Sequence, residues 1–298
     1  MAFDVDRFAS LSKALDLSDI DWAEVRRVGI TDEEDQILRY MQDTESHTVL
    51  YLRDLLTGFT ARDPEVTTFL ACWVYEETFH GRGLDRVLVE SGRPSARTYY
   101  DEVHMRPSLR ERLSGLVGRL AAKTTPHFAA VHMCWGATNE FLAATAYTQL
   151  ARRTSNEQLR KVLHRIAKDE RRHFAFYHDQ ADMRLRRGGR FAQKLCATLL
   201  QTWQPVGAGI GGTNLLPLIG SYLFSDRRGR HELELLQQMV NQLPGMESWD
   251  LAYRWAEEAR VQFQATDPVA WARHRAFDAR REAETAELAE TDAASAHG

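Results

Sequence analysis

Apolar residues return at three- and four-residue steps along four long stretches of the chain, the spacing of a helix face turned toward a core. Leu38, Met41, Leu52 and Leu55 trace the first stripe, and Leu70, Val74, Leu84, Val87 and Leu88 the second. Val131, Met133, Ala137, Ala144 and Tyr147 trace the third, and Leu159, Leu163, Ile166 and Tyr177 the fourth. Each stripe carries its own start and stop signals. Thr31-Asp-Glu-Glu34 and Thr154-Ser-Asn-Glu157 have capping-box form, while Asp63-Pro64 and Thr125-Pro126 place a cap before a proline at the first helical position. Gly58, Gly92 with Pro94, and Gly188-Gly189 mark ends. Short joints between the first and second helices, and between the third and fourth, predict two antiparallel hairpins.

The stripes are interrupted by ligand-type residues where leucine is expected. Glu45 occupies a core position on the first helix and Glu140 on the third; the second carries Glu77 and His80, and the fourth Glu170 and His173. An E-x-x-H motif puts both side chains on one helical face, but a single copy arises by chance in a chain with 11 His. Here two copies fall in register with core stripes, and 32 residues separate Glu45 from Glu77 while 30 separate Glu140 from Glu170. The carboxylates sit about 13 to 15 residues into their helices, roughly 20 Å along. Antiparallel helices would therefore bring all four ligand levels together. Four carboxylates meeting in an interior would repel one another and take up protons unless cations compensated. Two divalent metals balance them, and oxygen-rich ligation with one imidazole per metal suits iron or manganese better than zinc.

Composition narrows the setting. At 298 residues, 44% hydrophobic and 27% charged, the chain can bury one large core or two modest ones, and one main domain with a helical appendage is expected. No stretch approaches the roughly 20 apolar residues of a membrane span, and Met1-Ala-Phe-Asp-Val-Asp lacks the pattern of a signal peptide, so a soluble cytoplasmic protein is expected. A net charge of -4 argues against a nucleic-acid partner. Cys72, Cys134 and Cys196, widely spaced in apolar surroundings, fit reduced core thiols rather than a disulfide frame.

One Glu on each of two helices with E-x-x-H on each of two others is the ligand pattern of ferritin-like di-iron and di-manganese carboxylate bundles. The stretches W-V-Y-E-E-T-F-H-G-R-G-L-D-R-V-L and R-I-A-K-D-E-R-R-H also resemble the soluble acyl-(acyl carrier protein) desaturases, as does the pair Thr44-Glu45. The resemblance covers roughly residues 31 to 187. It implies an all-α, ferritin-like four-helix bundle in which Glu45, Glu77, His80, Glu140, Glu170 and His173 hold two irons (manganese being the alternative), with Glu77 and Glu170 bridging. Asp169 would accept a hydrogen bond from His80, and pseudo-symmetry gives Glu76 the same role toward His173. O2 as co-substrate, an external electron donor such as a ferredoxin, an acyl carrier protein as partner and a homodimer are implied as well. The chain departs from the pattern in a longer link between the second and third helices, and in Ala143, where plant members carry a Thr near the metals.

Around the bundle at 31–187, residues 1–30 form a lead-in without assigned chemistry, 188–281 supply additional C-terminal helices, and 282–298 form a flexible tail. A short helix is expected within 109–120 and a loop at the glycine-rich 207–212. Small residues Gly136, Ala137, Ala143 and Ala144 fit either close helix packing or space for a substrate. Arg184, Arg186, Arg187 and Arg190 fit the helix dipole or the docking of an acidic carrier. Three functions remain open. The first is an oxidase acting on an unactivated C–H bond. The second is an N-oxygenase or hydroxylase of an amine or an aminoacyl carrier substrate, although the extra His of arylamine oxygenases is Ile166 here. The third is a non-catalytic metal-binding protein.

Overall fold

The computed structural model describes residues 3–56, 58–96, 125–205 and 215–295. Among these the fold is all-α, with ten helices and no strand. Two short helices, α1 (Val5–Leu11) and α2 (Trp22–Val28), precede a bundle of four long ones: α3 (Asp32–Leu55), α4 (Pro64–Glu90), α5 (Phe128–Arg153) and α6 (Glu157–Leu200). A single 3-10 turn, Phe59–Arg62, joins α3 to α4. Four further helices follow: α7 (Leu216–Phe224), α8 (Arg227–Asn241), α9 (Leu251–Thr266) and α10 (Pro268–Ser295). The short helix and the glycine-rich loop expected at 109–120 and 207–212 lie outside the described residues.

Local chemistry explains the bundle helices. Thr31 and Glu34 close a reciprocal capping box, with the Glu34 N–H donating to Thr31 Oγ1 at 3.1 Å and the Thr31 N–H to Glu34 Oε2 at 2.8 Å. Asp63 Oδ1 accepts from the backbone of Glu65 and Val66, with Pro64 at the first helical position of α4. Gly92, at φ 78°, takes the left-handed conformation that ends α4, and the Arg93 N–H returns to the Leu88 carbonyl. Two starts differ from expectation. Helix α5 begins at Phe128 after a turn in which the Phe128 N–H donates to the Thr125 carbonyl, so Pro126 sits in that turn. In the second Thr-x-x-Glu stretch the cap is Asn156 rather than Thr154: its Oδ1 accepts from Gln158 and Leu159, and its side-chain amide donates to the Val25 and Gly29 carbonyls of α2. A tertiary contact thus fixes where α6 starts.

Gly188-Gly189 kinks α6 rather than ending it. Gly189 adopts φ 57°, a conformation open to glycine, and the helix resumes to Leu200, so the first of the additional helices expected after 188 continues α6. Helix α3 packs against α4 and α5 against α6, while α8 lies on α5, α7 on α9, and α10 on α9. Arg153 at the end of α5 is buried and pairs with Asp278 of α10, whose other oxygen accepts from Ser225. The backbone of α10 stays helical to Ser295, into the stretch where composition predicts fraying. Among the described residues no helix is long and apolar enough to cross a membrane. All three cysteines are free; Cys134 and Cys196 are buried and Cys72 is half-buried.

Because Asn156 is fully buried and serves both as cap and as donor to two carbonyls, Asn156→Ala should cost about 2–3 kcal/mol of stability. Urea unfolding followed by circular dichroism would measure it; a loss below about 0.5 kcal/mol would show that α2 and α6 are held by other contacts.

Candidate metal centre

The hairpins place the interrupting residues at one level in the middle of the bundle. Glu45, Glu77, His80, Glu140, Glu170 and His173 are all buried. One ligand-type atom from each of Glu45, Glu77, His80 and Glu170 lies within 4.8 Å of the others, and the same holds for Glu77, Glu140, Glu170 and His173. Glu77 and Glu170 belong to both groups, so the two groups share two carboxylates.

The two imidazoles are arranged with pseudo-two-fold symmetry, their ring centroids 6.1 Å apart. His80 turns Nδ1 inward, 3.1 Å from Glu170 and 3.8 Å from Glu45, while its Nε2 lies 3.3 Å from Asp169. His173 turns Nδ1 inward, 3.0 Å from Glu77, 3.3 Å from Glu170 and 3.6 Å from Glu140, and its Nε2 donates to Glu76 at 2.7 Å. With Nε2 donating outward, a ring that gives up its second proton presents its lone pair from Nδ1, facing the carboxylates. Asp169 and Glu76 thus stand behind the two rings, and Arg172 joins them, at 2.9 Å from Asp169 and 2.7 Å from Glu76.

Electrostatics shows what this cluster lacks. Burial, and after it the charges of Glu170 and Glu45, pushes the Glu77 carboxyl well above the usual range. Burial also raises Glu140, with Glu170 adding to it against the opposing pull of His173. For Glu170 burial acts upward too, but hydrogen bonds with His173 and His80 outweigh it and hold the group low. Both imidazoles are raised despite burial, by the carboxylates around them. Glu45 Oε2, Glu77 Oε1, Glu170 Oε1 and His80 Nδ1 are fully enclosed yet make no well-aligned hydrogen bond; they face one another and His173 Nδ1 across 3.0 to 3.8 Å. Orphaned inward-facing oxygens and a lone pair directed at them fit divalent cations, which would satisfy these atoms together.

Several participants were not legible as such in the sequence. Tyr147, one of the apolar stripe of α5, donates its hydroxyl to Glu45 Oε1. Arg172 lies three residues after Asp169, a spacing that signals the nearer pair; its reach to Glu76 is tertiary. The lead-in also contributes: Phe8 packs edge-on to His173 at 6.1 Å and lies under the Arg172 guanidinium at 5.2 Å, and the Lys13 N–H is 3.4 Å from Glu76 Oε1. Phe69 and Phe176, stacked at 3.8 Å, complete an apolar wall beside His173. Of the arginine cluster, Arg184 pairs with Asp63 and Arg186 with Asp182. Ile166 is buried in the core and brings no further imidazole to the cluster.

This bundle and its buried carboxylate–imidazole cluster have the form of the ferritin-like carboxylate bundles and are compatible with a di-iron site. Residues 57–201 match the family model described as fatty acid desaturase, a span that takes in Glu77, His80, Glu140, Glu170 and His173 and starts after Glu45. No curated protein matches the chain. The match and the buried cluster support an oxidoreductase of the di-iron oxygenase or desaturase type.

With protons shared among Glu77, Glu140 and the two imidazoles, metal loading must displace them, so affinity should rise with pH. Anaerobic Fe(II) titration between about pH 6 and 8 should show net proton release at every point. Loading without proton release would show that the ligand groups are already deprotonated.

Proposed function

We propose that the protein is a non-haem di-iron oxidase that uses O2 to oxidise an unactivated C–H bond, in the manner of the acyl carrier protein desaturases. The observation that carries this reading is the pair of four-atom groups sharing Glu77 and Glu170, fully enclosed at mid-bundle. Glu45, Glu77, His80 and Glu170 would hold one metal, and Glu77, Glu140, Glu170 and His173 the other, the two shared carboxylates bridging. The donor set is oxygen-rich, with one imidazole per metal, which favours iron and admits manganese. The bound pair would supply the activation of O2 that hydrogen removal from a saturated carbon requires.

The chain's own groups prepare that chemistry. Asp169 and Glu76 keep the Nε2 protons of His80 and His173 in place, so each ring presents Nδ1 inward. Arg172 offsets the charge of both carboxylates; burial would raise them, yet hydrogen bonds from the imidazoles and Arg172 keep them ionised. Tyr147 fixes one oxygen of Glu45. Phe8, Phe69 and Phe176 exclude water on the His173 side. For desaturation the balance is two hydrogens removed from adjacent carbons and O2 reduced to two waters, with two electrons and two protons supplied from outside. A ferredoxin or its reductase is the proposed electron source, and an acyl chain on a carrier protein the proposed substrate. The family match, which names fatty acids, supports a lipid-type chain.

Wild-type protein loaded anaerobically should hold two irons per chain, and both Glu77→Ala and Glu170→Ala should lose most of both because each serves two metals. Elemental analysis after gel filtration decides this; iron retained in either variant would sink the shared site. Glu76→Ala should weaken metal affinity about 10- to 100-fold without unfolding the bundle, through the freed His173 ring. A chelator competition assay would read it, and an unchanged affinity would make Glu76 a bystander.

A further inference from the structure

One turn from the metal cluster, toward the start of α4 and the far half of α6, each bundle helix contributes one ring to a closed set. Tyr51 of α3 meets Trp73 of α4 edge-on at 6.4 Å and His132 of α5 at 5.6 Å; Tyr177 of α6 meets the same two at 6.1 and 5.6 Å. Trp73 precedes Glu77 by one turn, Tyr177 follows His173 by one turn, and His132 precedes Glu140 by two. Gly136 admits Tyr177 to this place: a Cβ there would lie 2.3 Å from the tyrosine ring.

This box is polar in a way that core packing does not require. Trp73, His132 and Tyr177 are 3%, 1% and 0% exposed, yet Trp73 Nε1, both ring nitrogens of His132 and the Tyr177 hydroxyl have no hydrogen-bond partner. Gln180 Oε1, the next inward position on α6, is in the same condition. Buried tryptophan and tyrosine normally direct their polar atoms to a partner, and a buried imidazole with two unpaired nitrogens is rarer still. Burial drives His132 down to about 3, so its ring is neutral and offers one donor and one acceptor. At the outer end Arg184 pairs with Asp63 at 2.6 Å, and at the inner end the Glu140 carboxyl group faces Tyr51 and Tyr177. Tyr51 is 39% exposed, so one wall of the box reaches solvent.

We propose that Trp73, His132, Tyr177 and Gln180 form a hydrogen-bonding subsite for an uncharged substrate group that both donates and accepts, a hydroxyl or an amide. The inference rests on the oxidase reading and narrows it: the substrate carries a polar function within a few bonds of the carbon that reacts. A plain hydrocarbon at this point would leave every one of these atoms unpaired, whereas a hydroxyl or amide meets the indole N–H, the phenol and the amide carbonyl in kind.

The test uses iron(II)-loaded full-length protein under nitrogen and three probes of equal length: palmitoyl-pantetheine, and analogues with a mid-chain hydroxyl or a mid-chain amide. Calorimetric titration should show one polar analogue binding at least tenfold more tightly than the hydrocarbon, and which one identifies the group. His132→Phe and Trp73→Phe should each abolish that preference while keeping two irons per chain, and His132→Phe should raise the melting temperature of the probe-free protein. Equal affinity for all three probes, including no binding by any, overturns the subsite. So does a preference that survives both variants, or a lower melting temperature in both, which would give the rings structural partners. Protein that fails to hold two irons instead refutes the oxidase reading, which separates the two failures.

Discussion

Four carboxylates and two imidazoles enclosed in one helical interior can persist only if their charge is compensated, and the rest of the bundle is built around that demand. Glu170 and His173 of the fourth helix take part in ion pairs with residues of the second and third, and His80 of the second pairs with Glu45 of the first, so the helices converge on the cluster rather than merely on apolar contacts. Leucine in any of the six places would relieve the repulsion and pack well. The presence of all six acidic and imidazole groups, with shared protons and poorly aligned inward atoms, is intelligible when cations complete the site.

Outside this centre lies a frame of opposite design, in which every charge has a partner. Asp169 and Glu76 each hold one imidazole, and Arg172 holds both of them. The frame is capped by the N-terminal segment, with Phe8 against Arg172 and His173 and the Lys13 backbone against Glu76. The lead-in that carries no ligand of its own therefore encloses the polar side of the His173 half. Toward the other end of the bundle the interior changes character, from paired charges to neutral groups without partners around Trp73, His132 and Tyr177. That gradient, from metal-type ligands to neutral hydrogen-bonding groups to an ion pair at the rim, runs along one face of α6 through His173, Tyr177, Gln180 and Arg184.

The four long helices and the six inward acid and imidazole residues were readable in the sequence because both depend on local periodicity. A stripe at three- and four-residue steps states which face is buried, and an acid or imidazole within it states that something other than apolar packing occurs there. Equal spacing between the ligand pairs then gives the common level, since rise per residue is fixed by helix geometry. Local rules failed where another segment intervened. Asn156 displaced Thr154 as the cap of α6 because its amide also reaches two carbonyls of α2, and Gly189 bends α6 without stopping it because the following turns pack their own buried face, Ala192, Cys196 and Leu200.

The sequence by itself determined the all-helical class, the hairpin pairing and the acid and imidazole residues turned inward, all of which follow from spacing along a single helix. Tertiary structure alone decided that Arg172 spans two carboxylates, that Tyr147 serves Glu45, that Phe8 seals the His173 side, and that four rings from four helices close into one box. Each of these joins residues far apart in the chain through side chains whose meeting depends on helix rotation and crossing, quantities that no periodic pattern encodes.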